Sequence, residues 1–167
     1  MILICYDGSD DAKAAIASAQ TLFEGKPATV LTVWEPFADI LASKGAKHSI
    51  LPDVTEVEKI DEASHTNAAH IADEGAAIAN DAGLDATAKV ANRVGTVART
   101  ILDEADAANV DAIVLGSRGL TGMASLLLGS VSHAVLQAAS RSVVTVPSPE
   151  VAARRRERRH GDAHSVA

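Results

Sequence analysis

Short apolar runs alternate with segments of helical period along most of this 167-residue chain. Ile2–Tyr6 and Ala112–Leu115 are apolar almost throughout, which is typical of strands buried on both faces of a sheet. In the segments between such runs, apolar residues recur at i, i+3, i+4 and i+7, as they do on one face of a helix. Strands joined by helices run parallel, because each helix returns the chain to the same end of the sheet. The pattern therefore predicts a single α/β domain.

The apolar runs also predict the order of the strands. Four helical segments separate five candidate strands, which are Ile2–Tyr6, Ala28–Trp34, Leu84–Ala91, Ala112–Leu115 and Ser142–Val146. Leu84–Ala91 alternates apolar with polar residues and belongs at an edge, whereas the two wholly apolar runs belong in the middle. We expect a Rossmann-like five-stranded parallel sheet of order 3-2-1-4-5 with helices on both faces. Ligands of such sheets bind beyond the carboxyl ends of the strands, here between strands 1 and 4.

Local patterns predict three further segments. No period holds from Glu35 to Asp53, which predicts a long connection of a functional or mobile kind. A helix follows from about Thr55 to Ala82, and its His65 and His70 point about 140° apart, so we predict no metal site there. The arginine-rich end has no apolar period. We expect a domain of residues 1–147 and a disordered tail of residues 148–167, with a short contact to nucleic acid or an acidic partner as the alternative.

Charge and composition exclude several classes of protein. Residues 1–149 carry 10 Lys and Arg against 19 Asp and Glu, a net charge of −9, whereas residues 150–167 carry +2. So acidic a body disfavours the broad basic face that nucleic-acid binding needs. The single cysteine, Cys5, allows no intrachain disulfide, and no run approaches the roughly 18 apolar residues of a membrane span. Ile2–Cys5 is too short for the core of a signal peptide. We expect a cytoplasmic protein without a membrane partner.

The stretch from Gly116 to Ser132 carries the clearest functional signal. It follows a predicted strand, contains glycine at 116, 119 and 129, and leads into a helix for which Ser130 is a suitable N-cap. Glycine can adopt positive φ angles and, without a Cβ atom, lets a ligand approach the main chain. The helix start adds unpaired N–H groups and a positive dipole end, so the stretch is suited to holding phosphate. A surface loop with convenient turn residues is the alternative. Asp7 ends strand 1, so it should face the glycines across one crevice.

The motifs that cleave or transfer phosphate are missing from the sequence. The Walker pattern G-x-x-x-x-G-K-[ST] needs a lysine, and none occurs after Lys89. G-x-G-x-x-G and the nucleophile elbow G-x-S-x-G are also absent. Arg118 and Arg141 are the nearby cations, and we expect both to face solvent. The stretch is therefore predicted to hold phosphate, and no residue is predicted to be catalytic.

The pattern Gly116-x-x-Gly119, nine residues, then Gly129-Ser130 resembles the nucleotide-binding motif of the universal stress protein family. The start, Ile4-Cys5-Tyr6-Asp7-Gly8-Ser9, and the ending, Val143-Val144-Thr145-Val146-Pro147, are similar to that family too. The resemblance covers residues 1–147. It implies an ATP-binding α/β sandwich of the adenine nucleotide alpha hydrolase-like kind, dimeric through its last strand, that serves in stress response or signalling.

The resemblance also implies roles for individual residues. Asp7 corresponds to the acidic residue near the nucleotide, and Val33 to the residue whose backbone meets adenine. The glycines at 116 and 119 would lie against ribose and phosphate, and residues 129–132 would hold phosphates through N–H and hydroxyl groups, with Mg²⁺ bound through the phosphates. The residues expected to bind the cofactor are Cys5, Tyr6, Asp7, Val33, Gly116, Ser117, Arg118, Gly119, Gly129, Ser130, Val131 and Ser132. Family members that bind ATP can carry proline where Cys5 stands, which bears on the fit around the base.

Three functions are compatible with these features. The leading one is an ATP-binding regulatory protein of the stress response. The second is a dimeric interaction module of the same fold without a ligand. The third is an enzyme, either a slow ATPase or a relative of nucleotidyl transferases, which the missing lysine and the lack of a paired-histidine motif disfavour. In all three, Val143, Val144 and Val146 make the last strand apolar on both faces, which predicts a homodimer through Ser142–Val146.

Overall fold

A computed structural model of the chain describes residues 1–37, 39–40, 53–120 and 128–162. Within these ranges the strands and helices alternate as predicted. The elements are β1 (Ile2–Cys5), α1 (Asp10–Leu22), β2 (Pro27–Trp34), α2 (Val54–Asp81), β3 (Asp85–Asn92), α3 (Val97–Ala107), β4 (Ala112–Gly116), α4 (Ser130–Ala138), β5 (Ser142–Val146) and α5 (Pro149–Asp162). Most of the predicted connection 35–53 and residues 121–127 of the glycine-containing stretch lie outside the described residues.

The five strands form one parallel sheet of order β3-β2-β1-β4-β5, which confirms the predicted order. The two apolar strands, β1 and β4, lie in the middle, and the alternating strand β3 lies at an edge. Cys5 at the end of β1 is level with Leu31 of β2 and Leu115 of β4. The chain therefore leaves β1 and β4 side by side, with Asp7 following one strand and Ser117 the other.

Alternate residues of the central strands enter two separate hydrophobic cores. Ile2 and Ile4 pack with residues of α1 and α2 on one face, whereas Leu3 packs with residues of α3 and α4 on the other. The period of two along a strand produces this division, because successive side chains point to opposite faces. Helices thus cover both faces of the sheet, as the sequence predicts.

The predicted helix from about Thr55 to Ala82 is confirmed as α2, with 28 residues. It packs closely on the sheet at Gly75, where a Cβ atom would lie only 2.6 Å from the Tyr6 ring. Among the residues that the structure describes, none of the helices combines the length and apolar character needed to cross a membrane.

The expectation of a disordered tail is wrong for Pro149–Asp162, which form helix α5. Ser148 begins this helix, and its hydroxyl accepts a hydrogen bond from the Val151 N–H at 3.5 Å. Pro149 occupies the first helical position, where its fixed φ suits the helix and its missing N–H costs nothing. Val151 is only 5% exposed, so one apolar side chain anchors the helix to the domain. The arginine-rich composition predicted a solvated chain, because a single buried valine among many charged residues produces no apolar period.

Candidate functional site

A cavity of about 730 Å³ opens beyond the carboxyl ends of β1, β2 and β4. Its walls include apolar side chains from β2, α3 and β4, among them Leu31, Ile101 and Leu115. Eleven of the twelve residues predicted to bind the cofactor line it, namely Cys5, Tyr6, Asp7, Val33, Gly116, Arg118, Gly119, Gly129, Ser130, Val131 and Ser132. The twelfth, Ser117, is 1% exposed, and its hydroxyl donates to Asp11 of α1 instead of lining the cavity. The fold therefore brings the predicted residues together around one cavity.

Asp7 contacts the glycine-containing stretch directly, so the predicted approach across the crevice is confirmed. Its Oδ2 accepts a hydrogen bond from the Leu120 N–H at 3.3 Å, and its Oδ1 accepts one from the Ser9 N–H at 3.0 Å. The second bond closes a tight turn at Gly8, whose φ of 82° favours glycine. Asp7 thus presents a carboxylate to a main-chain donor of the stretch, as a bound anion would do there.

Gly116 and Gly119 each allow another part of the chain to approach closely, and the expectation of positive φ angles in the stretch is not met. Among the described glycines, positive φ occurs at Gly8, Gly25, Gly83 and Gly95. A Cβ atom at Gly116 would lie 2.8 Å from the Asp11 carbonyl carbon and 2.9 Å from the Ala12 nitrogen, both in the main chain of α1. At Gly119 a Cβ atom would lie 2.6 Å from Oδ2 of Asp7. Gly116 lets β4 pack on α1, and Gly119 lets Asp7 reach the stretch.

Helix α4 starts beside the cavity without a side-chain cap. Gly129 is its N-cap, so the assignment of Ser130 as the cap is wrong, and Ser130 is the first helical residue. The Gly129 N–H donates to the Ser117 carbonyl at 2.8 Å, which joins the helix start to the end of β4. Ser132 is 4% exposed and its hydroxyl donates to the Gly116 carbonyl at 2.8 Å, so that proton is already used within the protein. The start of α4 offers main-chain N–H groups rather than a serine proton from position 132.

Asp11, which the sequence analysis did not single out, connects three elements behind the cavity. Its carboxylate accepts hydrogen bonds from the Ser117 hydroxyl at 2.8 Å, the Arg118 N–H at 3.1 Å and the Ser148 N–H at 3.0 Å. Burial favours the protonated carboxyl, but the bonds from Ser117 and Ser148 and the charge of Arg118 outweigh it and lower the pKa of Asp11. A charged Asp11 therefore holds the end of β4 and the start of α5 against α1.

The two cations expected to face solvent are largely enclosed instead. The Arg118 side chain is 11% exposed, and its Nε lies 3.8 Å from Oδ2 of Asp11. The Arg141 side chain is 17% exposed, donates to the Val110 carbonyl at 2.6 Å and pairs with Asp106. Both expectations are wrong because a long side chain can lie along the protein surface and still place its charged end against an acceptor. Arg118 lines the cavity, whereas Arg141 ties α3 to the segment before β5.

Cys5 and Tyr6 contribute to the floor of the cavity as neutral groups. Burial, with a smaller contribution from the charge of Asp7, raises the pKa of the Cys5 thiol to about 12. Burial also raises the pKa of Tyr6, and its hydroxyl donates to Glu74 of α2 at 2.8 Å. A thiol with so high a pKa is a poor nucleophile, so Cys5 acts as a small apolar side chain here.

The comparisons with known proteins agree on one family. The universal stress protein family model matches residues 1–147. A relative from Thermus aquaticus, called the universal stress protein in QAH/OAS sulfhydrylase 3' region, is 31% identical over 147 residues. That alignment covers 87% of this chain and 96% of the relative.

Solved structures show the same fold. The universal stress protein UspA of Lactobacillus plantarum is 23% identical, with a TM-score of 0.68 over 87% of this chain and 95% of that one. A universal stress protein of Archaeoglobus fulgidus in complex with dAMP is 20% identical, with a TM-score of 0.57 over 87% of this chain and 95% of that one. Similar structures also include one in complex with cAMP and one from Arabidopsis thaliana with AMP bound. At these identities the likeness concerns the fold.

Proposed function

Because the chain belongs to the universal stress protein family, we propose that it binds ATP in the cavity between β1 and β4 and acts as a regulatory protein in the stress response. The observation that carries the proposal is the pairing of an apolar wall with an uncapped helix start in one cavity. The apolar wall suits an adenine ring, and the N–H groups of the helix start suit phosphates. Adenine nucleotides bound to similar structures support the choice of ligand.

The residues present fit an adenine nucleotide. We propose that the base lies against the backbone of Val33 and the apolar wall, and that Gly116 and Gly119 lie against ribose and phosphate. The N–H groups of Gly119 and of residues 130–132 would hold the phosphates, since the Gly129 N–H is bonded to the Ser117 carbonyl. Each N–H bonded to a charged phosphate contributes about 1.5–3 kcal/mol, so four such bonds can support micromolar affinity after ordering costs.

We propose that Mg²⁺ enters bound to the phosphates of ATP. Among the described residues no group of three or more His, Cys, Asp or Glu is placed to hold a metal ion. Asp7 and Glu35 both line the cavity, so a divalent cation would offset their repulsion of a triphosphate.

The partner and the location are also proposals. We propose a homodimer in which β5 of one chain pairs with β5 of another, since this strand lies at the edge of the sheet and three of its five residues are valine. We propose the cytoplasm as the location, supported by the single cysteine.

A slow ATPase is the alternative activity. Steady phosphate release from ATP that disappears in Asp7→Ala would establish it.

Two Ser130 variants test the proposed site. Ser130 is exposed at the first position of α4, so a carboxylate there would stabilise the helix dipole and repel phosphate. We expect Ser130→Asp to weaken ATP binding at least about tenfold in calorimetry with Mg²⁺, while the thermal midpoint stays equal or rises. Asn has the same size as Asp but carries no charge, so Ser130→Asn should keep the wild-type affinity.

The ligand itself is identified by chromatography of nucleotide released from the purified protein, followed by titration with ATP, AMP and cAMP. We expect ATP to bind most tightly, because only its full phosphate chain can occupy the start of α4. Tighter binding of AMP or cAMP would refute ATP as the ligand. No nucleotide after extraction and no heat with any of the three would refute nucleotide binding and favour a ligand-free interaction module.

A further inference from the structure

Helix α5 follows the segment that the family model matches, and it is docked on the back of the proposed site. The match ends at residue 147, and α5 spans Pro149–Asp162. The Ser148 N–H donates to Oδ1 of Asp11 at 3.0 Å, and Val151 is 5% exposed. One turn further on, the half-buried Arg155 donates from Nη2 to Oγ of Ser117 at 3.1 Å. The helix therefore contacts both α1 and the glycine-containing stretch.

The chemistry of these groups fixes the direction of each hydrogen bond. A guanidinium group has donors only, so the Ser117 hydroxyl must accept from Arg155. The single hydroxyl proton of Ser117 is then donated to Oδ2 of Asp11, at 2.8 Å. The same Oδ2 accepts the Arg118 N–H at 3.1 Å. Arg155, Ser117 and Asp11 thus form one directed chain of bonds from α5 to α1.

Ser117 extends this chain to the start of α4. Its carbonyl accepts the N–H of Gly129, the N-cap of α4, at 2.8 Å. Its own N–H donates to the Val146 carbonyl of β5 at 2.7 Å. The hydroxyl, the N–H and the carbonyl of Ser117 are therefore all hydrogen-bonded, and together they hold the residue in position. Ser117 lies in the chain between Gly116 and Gly119, which line the cavity. A shift of Ser117 would move both the glycine-containing stretch and the cap of α4.

We propose that α5 positions the nucleotide site of this protein, with Arg155 as the positioning residue that acts through Ser117. The inference rests on the proposed function, since it concerns ATP in the same cavity. Because docking of α5 and binding of ATP both depend on the placement of Ser117, each stabilises the other by the same free energy. ATP therefore tightens α5 onto the domain, and an undocked α5 weakens ATP binding. A helix beyond the matched segment gives this chain a route from nucleotide occupancy to a changed surface.

The test compares two neighbouring arginines in the full chain. Arg155 is half-buried and bonded to Ser117, whereas Arg156 is exposed, so Arg156→Ala removes the same charge from the same helix without touching the site. We expect Arg155→Ala to weaken ATP binding, measured by calorimetry with Mg²⁺, about three- to tenfold. Arg156→Ala should stay within about twofold of the wild type. Equal affinities of the two variants would overturn the proposal.

Hydrogen exchange distinguishes positioning from a general loss of stability. We expect ATP to slow amide exchange in residues 152–155 of the wild type and of Arg156→Ala, and to leave it unchanged in Arg155→Ala. If α5 were only a structural support, its exchange would not respond to ATP in any of the three proteins, and that result would overturn the proposal.

A failure of the proposed function would be visible separately. If the wild type binds no ATP, amide hydrogen exchange measured without nucleotide still tests whether Arg155 positions the glycine-containing stretch. The amides of residues 117–119 and 129–130 should then exchange faster in Arg155→Ala than in Arg156→Ala. Equal exchange in the two variants would show that Arg155 does not position the glycine-containing stretch.

Discussion

Gly116 and Gly119 stand three residues apart in the same motif, but a side chain at each would meet different neighbours. A Cβ atom at Gly116 would press on the main chain of α1, at 2.8 Å from the Asp11 carbonyl carbon. A Cβ atom at Gly119 would meet only the end of the Asp7 carboxylate, which can rotate away. The first glycine is therefore needed for packing, and the second leaves space in the cavity.

This difference predicts the stability of two matched variants. We expect Gly116→Ala to lower the free energy of unfolding by about 2 kcal/mol, because the α1 main chain must move to admit the methyl group. Gly119→Ala should lower it by less than about 1 kcal/mol, because one flexible side chain can move instead. Urea denaturation of both variants measures the two losses. Equal losses would contradict the separate roles assigned to these glycines.

Among the elements, β5 presents one paired and one unpaired side. The Val146 carbonyl accepts from the Ser117 N–H, so the main-chain groups of Val146 and Val144 point toward β4. Main-chain groups alternate in direction along a strand, so those of Val143 and Thr145 point away from the sheet. A second copy of β5 could pair with these outward groups, which is the geometry that the proposed homodimer needs.

A proline at position 145 tests the homodimer. We expect Thr145→Pro to yield monomer, because the ring removes an outward N–H and blocks a second strand, while an edge strand tolerates proline on its free side. Thr145→Val keeps the N–H and should remain a dimer, as should the wild type, at twice the 17.2 kDa of one chain. Light scattering after size-exclusion chromatography gives the masses. A monomeric wild type would refute the dimer, and a dimeric Thr145→Pro would place its interface elsewhere.

Helix α5 shows where element-level prediction failed although a signal was present. Ser148, Pro149 and Glu150 are a cap residue, a first-turn proline and a first-turn acid, which together are typical of a helix start. The two prolines around Ser148 also end a strand, and the arginine-rich run that follows lacks an apolar period. Those features favour a solvated chain, so the cap residues alone did not lead to the prediction of a helix.

Across the whole molecule, Asp11 joins parts of the fold that are far apart in the chain. It bonds to Ser117, which is 106 residues away, and to Ser148, which is 137 residues away. Its side chain is 7% exposed, and Arg118 is the cation beside it. Protonation of this one carboxyl would weaken the contacts between α1, the end of β4 and the start of α5 together. It would therefore lower the free energy of unfolding of the whole domain.

The lowered pKa of Asp11 sets the sign of a pH prediction. A carboxyl with a lower pKa in the folded state stabilises the fold above its ordinary pKa of 3.8, and this contribution is lost as pH falls below 3.8 through the folded value. We expect Asp11→Asn to lower the free energy of unfolding by about 2 kcal/mol near neutral pH, because an amide cannot accept all three hydrogen bonds. The gap to the wild type should narrow below pH 3.8.

The neighbouring carboxylate is the matched control for this prediction. Asp10 is exposed in the same first turn of α1, so Asp10→Asn should cost only about 0.3–1 kcal/mol, through the helix dipole. Urea unfolding at several pH values measures all three proteins. A gap between the wild type and Asp11→Asn that stays constant or widens at low pH would contradict a stabilising charge at Asp11.

The sequence predicts the strand order, the two-sided covering of the sheet and the place where Asp7 meets Gly119. These follow from the period and continuity of apolar residues and from strand ends, which are local properties of the chain. The packing of the elements shows three features that the sequence does not predict: Asp11 is the centre of a buried network, Arg118 is enclosed, and α5 bonds to Ser117. Those contacts join residues 38 to 137 positions apart, and Asp11 looks in sequence like any acid in a first helical turn. Hydrogen bonds of this kind depend on how finished elements pack, so no local pattern can predict them.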